Sequence, residues 1–214
     1  TTLAVADTIF LPDGVECNGT CSYLSPVTFE DFASSAKITS PNDILYVRLA
    51  IEHSWIGDIY IRLVCPNGQY ATIMKYGGSG STSCLSSIPS ADRGWQGTPG
   101  PTSSYFGLYY EPDGTDKCNA SQSPIGTCWN YCWSNNTAQG YQYACGNGWV
   151  YESCNHISAN NPHGTSSPYV DSTNVANMTN VYHPDDNFFQ KLQNCPLNGQ
   201  WPMEVFDAWG SDNG

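Results

Sequence analysis

Positive charge is what this chain has least of. Its 214 residues hold 7 Lys plus Arg against 19 Asp plus Glu, a formal net charge of −12, and only 12% of residues are charged at all. Phosphate affinity needs a cationic face, and so few cations cannot build one, which excludes nucleic acid as a partner. The same shortage disfavours adhesion to an anionic membrane surface. No apolar run reaches the roughly 18 residues a spanning helix needs, so no membrane insertion is expected. Thr1 to Phe10 lacks the basic start and long apolar stretch of a signal peptide, so a secreted form is expected to have lost its signal already. There is no fixed-period repeat and no Gly-x-Ser-x-Gly nucleophile elbow.

Aromatic residues, by contrast, are plentiful. With 7 Trp, 14 Tyr and 7 Phe the chain has too much ring surface to remain disordered. The 20 Gly and 14 Pro point to many turns, and long helices are not expected. Ten cysteines stand at 17, 21, 65, 84, 118, 128, 132, 145, 154 and 195. An even number at this density in a loop-rich chain reads as disulfides, hence as a protein of the extracellular space or cell surface. Spacing leaves the connectivity open. Cys17 with Cys21, and Cys145 with Cys154, bracket loops short enough to close locally. The rival reading is zinc at Cys128-Trp129-Asn130-Tyr131-Cys132, but no second pair follows at finger-like spacing and His156 and His163 do not form an H-x₃₋₅-H pair.

The clearest periodicity runs from Asp43 to Tyr76. In Ile44 to His53, Leu45, Val47, Leu49 and Ile51 share one face, with Arg48 and Glu52 on the other, which predicts a half-buried strand. Ile59, Ile61, Leu63 and Cys65 then share a face opposite Tyr60, Arg62 and Val64. Pro66-Asn67-Gly68 is a turn signal, and Gln69 to Tyr76 reads as a third strand. Near the C-terminal end, Asn198-Gly199 is a turn followed by Trp201, Met203 and Val205 on one side and Gln200, Glu204 and Phe206 on the other. Pro202 marks that strand as an edge or a bulge. Shorter strands are expected at Thr8 to Leu11 and Val27 to Phe29.

Residues 77–194 show weak periodicity and much Gly, Pro and Ser. A structureless loop of that length inside a compact domain is improbable, so short strands and disulfide-pinned loops laid over the sheet are expected. The fold class that follows is an all-β sandwich: one domain over residues 1–214, with 77–194 as a loop-rich, Cys- and aromatic-rich insertion.

The stretch Ile51-Glu52-His53-Ser54-Trp55-Ile56-Gly57-Asp58-Ile59, continuing through Leu63-Val64-Cys65-Pro66-Asn67-Gly68, resembles the P domain, or Homo B domain, of proprotein convertases and kexin-like proteases. That family shows I-x-H-[ST]-x-x-G-D-[LI] and then x-L-x-[SC]-P-x-G. The second half of its signature, N-G-x-W-x-[LM]-x-V-x-D followed by D-x-G, has its counterpart in Asn198-Gly199-Gln200-Trp201-Pro202-Met203-Glu204-Val205-Phe206-Asp207 and Asp212-Asn213-Gly214. Tyr131-Cys132-Trp133-Ser134 and Cys195-Pro196-Leu197-Asn198-Gly199 are similar to a bacterial branch found on secreted or surface proteins. The resemblance implies a jelly-roll β-sandwich, and gives His53, Gly57, Asp58, Gly199, Trp201 and Asp207 roles as structural motif residues. The family pattern continues with another strand after D-x-G, whereas this sequence ends at Gly214.

His53, Ser54 and Asp58 invite a triad reading. Adjacent strand residues point to opposite faces, however, and the resemblance assigns His53 and Asp58 to a structural turn, so no enzyme is expected. Asp58, Asp207 and Asp212 could converge at one end of the sandwich as oxygen ligands, which makes calcium the candidate cofactor. Glu111, Asp113 and Asp116 form a second acidic cluster. In the competing reading each carboxylate caps a turn, and no D-x-[DN]-x-[DN]-G loop is present. Trp129, Trp133 and Trp149 are the candidate ligand-binding rings, since exposed rings stack on sugars or grip proteins; the alternative is that they fill small cores. Asn18, Asn119, Asn135 and Asn177 begin Asn-x-Ser/Thr tripeptides.

Three functions follow. The first is a non-catalytic binding, stabilising or adhesion module of a secreted or cell-surface bacterial protein, with a surface protein or glycan as partner. In the family the domain packs against a subtilisin-like catalytic domain, so an accessory role to a serine protease is a variant of this reading. The second is a carbohydrate-binding jelly roll, and the third a hydrolase built on His53.

Overall fold

A computed structural model describes residues 22–51, 53, 59–76, 83–93, 129–135, 181–182 and 184–208. The described residues form seven strands: β1 (Ser22–Phe29), β2 (Val47–Ile51), β3 (Ile59–Val64), β4 (Tyr70–Met74), β5 (Trp129–Trp133), β6 (Val181–Tyr182) and β7 (Gly199–Asp207). One short helix, α1 (Phe188–Leu192), and two 3₁₀ turns, Ser83–Ser87 and Ser90–Asp92, complete the described elements. Four strands make an antiparallel sheet in the order β1-β7-β3-β4. The other three are ordered β2-β5-β6, with β2 antiparallel and β6 parallel to β5.

The alternation of β3 decides how the sheets pack. Ile59, Ile61, Leu63 and Cys65 are buried in one apolar cluster with Trp201, Met203 and Val205 of β7, and with Ile51 and Trp133 from the smaller sheet. Both sheets therefore feed one core. Each fully buried aliphatic side chain contributes about 1.5–3 kcal/mol of transfer free energy there. Phe188 and Leu192 of α1 join the same cluster, which places one face of that helix inside. Asn187 starts α1, its side-chain oxygen accepting the Gln190 N–H at 3.1 Å. The Gln69 side chain caps its other end by donating to the Lys191 and Gln193 carbonyls.

The opposite face of the four-stranded sheet is also covered at one end. Tyr60 and Phe206 pack there with Tyr76, Cys84, Ile88 and Ala208, under the 3₁₀ turns. Near this end β4 carries a bulge: Ile61 pairs with Met74 but Arg62 with Thr72, leaving Ile73 as the extra residue. Side chains on both sides of the bulge, Ile73 and Met74, reach the main core.

A disulfide joins Cys65, just after β3, to Cys195 in the turn between α1 and β7, with their Cα atoms 6.1 Å apart and a sequence separation of 130. Cys84 is also disulfide-bonded. The local pairs Cys17–Cys21 and Cys145–Cys154, and the expected strand at Thr8 to Leu11, lie outside the described residues.

Two strand expectations need correction. The first strand of the 43–76 region begins at Val47 rather than Ile44, and Leu45, expected on the inner face, is 42% exposed. Its carbonyl instead accepts the Ser134 hydroxyl at 2.5 Å, so main-chain bonding rather than apolar burial holds that residue. Pro202 marks its strand as an edge or a bulge, yet β7 lies between β1 and β3 and pairs with both without a register shift. The pairing with β3 reaches only Met203, while that with β1 continues to Gly199. Pro202 thus sits just beyond the last β3 rung, opposite Pro26 of β1, where β7 has one neighbour and a missing N–H is tolerated.

Candidate functional site

The two halves of the sequence signature meet in space. His53, just after β2, places Nε2 3.4 Å from Oδ2 of Asp207, the last residue of β7, and both side chains are fully buried. The pairing follows from the topology. β7 runs beside β3, so Asp207 pairs with Ile59, six residues after His53. The Tyr23 phenol is close enough to sense this site. Burial first, and then the Asp207 charge, pushes it above its ordinary value.

The Asn198-Gly199-x-Trp201 half has an equally specific construction. The Asn198 side chain grips the backbone of Phe32 at both ends: Phe32 N–H donates to Oδ1 at 3.0 Å and Nδ2 donates to the Phe32 carbonyl at 2.8 Å. Gly199 has φ of +119°, and a Cβ there would lie 2.8 Å from Pro66, so only glycine fits. Trp201 is buried with Nε1 donating to the Leu197 carbonyl at 3.1 Å. Of the motif residues, His53 and Asp207 meet each other, Gly199 packs against Pro66, and Trp201 lies in the main core. Gly57 and Asp58 lie outside the described residues.

On the outer face of the same sheet Arg62 of β3 pairs with the directly opposed Glu204 of β7, Nε to Oε2 at 2.5 Å. The guanidinium lies 4.9 Å from the Tyr70 ring centroid and 5.3 Å from that of Phe206. Burial works against its charge, but the hydrogen bond and charge of Glu204 outweigh that and hold its proton more tightly than usual.

A third polar group lies along the free edge of β4. Main-chain N–H groups of Asp185 and Asp186 donate to the Ile73 and Thr72 carbonyls at 3.1 and 3.0 Å. Their carboxylates accept in return: Asp185 from the Lys75 N–H at 2.6 Å, Asp186 from the Thr72 N–H at 2.9 Å. Asp92, buried, accepts the Tyr60 hydroxyl at 3.1 Å. Burial, above all, raises the Tyr60 phenol, and the Asp92 charge acts in the same direction. Asp185 and Asp186 read in the sequence as a solvated loop. They are half-buried because they stand in for a fifth strand, and two adjacent aspartates give no periodic signal that would reveal it.

His53 and Asp207 have no solvent-exposed surface through which a substrate could approach. Ser54, and the carboxylates Asp58 and Asp212 expected beside Asp207, lie outside the described residues, as do Glu111, Asp113 and Asp116. Among the described residues no group of three or more His, Cys, Asp or Glu is placed to hold a metal ion. Of the candidate ligand-binding rings, Trp133 is fully buried in the main core, where its ring is closed to a ligand. Trp129 is described only as the β5 residue paired with Ile51, and Trp149 is not among the described residues. Asn135 uses its side chain inside the protein: Oδ1 accepts the Phe188 N–H at 2.8 Å and Nδ2 donates to the Asp186 carbonyl at 3.4 Å. No helix among the described residues is long and apolar enough to cross a membrane.

Comparison with known proteins fits this arrangement. The family model of the proprotein convertase P-domain matches residues 43–84, which carry β2, β3, β4 and His53. No curated protein and no solved structure matches the chain. A P-domain match, together with a buried and inaccessible His–Asp pair, is consistent with a non-catalytic module, and over residues 43–84 the chain is similar to the proprotein convertase P-domain.

Proposed function

We propose that this chain is a non-catalytic, P-domain-like module with a jelly-roll β-sandwich fold, acting as a binding or stabilising domain of a secreted or cell-surface bacterial protein. The observation that carries the reading is the burial of His53 against Asp207. It joins the P-domain-like stretch 43–84 to the Asn198–Asp207 stretch, whose sequence also follows the P-domain pattern but which the family model does not cover. The residues most like a catalytic pair are thereby committed to holding strands together. The Cys65–Cys195 bridge and the other cysteines support an oxidising location. The partner is a surface protein or glycan. Calcium is the proposed cofactor, with Asp58, Asp207 and Asp212 as its carboxylate ligands.

The test uses the oxidised chain on intact bacterial cells. Photo-crosslinking is expected to capture a surface protein, while a fluorophosphonate probe leaves the chain unlabelled. Stoichiometric labelling, or turnover of ester or peptide substrates, would overturn the non-catalytic reading. Binding on a glycan array without any protein adduct would replace the protein-docking reading with the carbohydrate one. Repeating the array with a chelator shows whether calcium contributes.

A further inference from the structure

The segment 184–187 crosses the edge of β4 at its bulge and is held to β4 and Lys75 by four hydrogen bonds, two from its own N–H groups and two to its carboxylates. We propose that this segment is a proton-sensitive strap, which closes the β4 edge more tightly when Asp185 is protonated. The geometry supplies the reason. Asp185 and Asp186 are consecutive; Asp185 accepts the Lys75 N–H, and the carbonyl of Asp92, from the 3₁₀ turn Ser90–Asp92, accepts the N–H of the next residue, Tyr76, at 3.1 Å. Two half-buried carboxylates and that of the buried Asp92 therefore gather at the end of β4.

The described charged groups that face the strap come from every element packed against it. Lys75 of the segment following β4 lies near Asp185. Lys191 of α1 places Nζ 3.5 Å from Asp186 Oδ1. Asp92 belongs to the 3₁₀ turn, and the Tyr60 hydroxyl of β3 is already donated to it. The Lys191 ammonium is bound to Asp186 rather than to Asp185, and it is half exposed, so it compensates Asp185 weakly. Burial pushes the Asp185 carboxyl up to about 6, against an ordinary 3.8; the Lys75 N–H and ammonium oppose the rise, and the charges of Asp186 and Asp92 add to it.

The sign follows from linkage. The closed strap holds the Asp185 proton more tightly than the open one. Its extra stability is complete below 3.8 and is lost as the pH rises through about 6. Closure is therefore expected to be about tenfold more favourable at pH 5 than at pH 7.5. When the strap opens, the N–H and C=O groups on the outer side of β4 are freed, which is the condition under which an edge strand accepts another strand.

Hydrogen exchange on the full oxidised chain tests this, with rates corrected for the intrinsic effect of pH. The Thr72 and Lys75 amides are expected to be about tenfold better protected at pH 5 than at pH 7.5. In Asp185→Asn, whose amide oxygen still accepts the Lys75 N–H but which cannot ionise, that difference is expected to vanish. An equal pH dependence in wild type and Asp185→Asn would overturn the proposal, as would lower protection at pH 5. Should the variant fold poorly, a carbon-detected titration of the wild-type Asp185 carboxyl decides. A midpoint near 6 supports the strap, and one near 3.8 removes it.

Discussion

β2 and β4 are both five residues long, yet they live in different surroundings. In β4, Ala71, Thr72, Ile73 and Met74 are all buried, whereas in β2 only Ile51 is. Composition does not account for this, since Val47-Arg48-Leu49-Ala50-Ile51 is no less apolar than Tyr70-Ala71-Thr72-Ile73-Met74. The cause is cover. β4 has the main core on one side, the 3₁₀ turns and Tyr76 on the other, and the 184–187 segment along its edge. Ala50 on the outer side of β2 is exposed, and Leu49 is only half-buried. Strand alternation names the face that goes inward. It does not say whether something else covers the outward face.

The contrast can be broken most severely at the disulfide. Replacing Cys65 and Cys195 together by alanine frees a loop of 130 residues. The expected loss is about 2–5 kcal/mol, read from the denaturant midpoint. Amide protection should fall first in β3, β4 and β7, which adjoin the bridge. Uniform loss across β2 and β4 would mean that the two sheets open as one unit.

Truncation sharpens the same contrast. Ile61→Ala removes a fully buried side chain and is expected to cost about 2–5 kcal/mol, while Leu49→Ala, on the less covered strand, costs less than half as much. Chemical denaturation of the two variants side by side checks the ratio. Equal losses would show that β2 is as well enclosed as β3.

Gly199→Ala tests the seam on β7. A methyl group there meets Pro66 at 2.8 and 2.9 Å, and the backbone stays in a region that favours glycine, so the expected cost is about 1–3 kcal/mol in a thermal or denaturant melt. The smallest effect is expected on the outer face. Glu204→Gln keeps the shape of the Arg62 partner and removes its charge, for a loss of about 1 kcal/mol or less that shrinks further in salt.

Much of the four-stranded framework is legible in the residues. Ile59, Ile61, Leu63 and Cys65 do share the core face, and Trp201, Met203 and Val205 do point to it. Signatures requiring contact between distant segments are not legible in the same way. That Cys65 bonds Cys195 follows from where α1 docks, and no spacing rule reaches across 130 residues. Pro202 misled because the rule against proline in central strands assumes neighbours of equal length, and β3 is shorter than β7. Trp133 looked like a ligand-binding ring because its flanks are polar and turn-rich, but β5 pairs with β2 and carries it into the core. The burial of Asp185 and Asp186 against an edge strand left no mark in periodicity at all.

The account rests on His53 and Asp207 acting as one buried fastening between two separated stretches of sequence. A double-mutant cycle with His53→Gln, Asp207→Asn and the double variant, followed by denaturant unfolding, measures that directly. The account predicts that each single change costs about 3–5 kcal/mol and that the pair is coupled by about 1–3 kcal/mol. Losses that simply add to within about 0.5 kcal/mol would show that the two residues do not hold each other, and would contradict it.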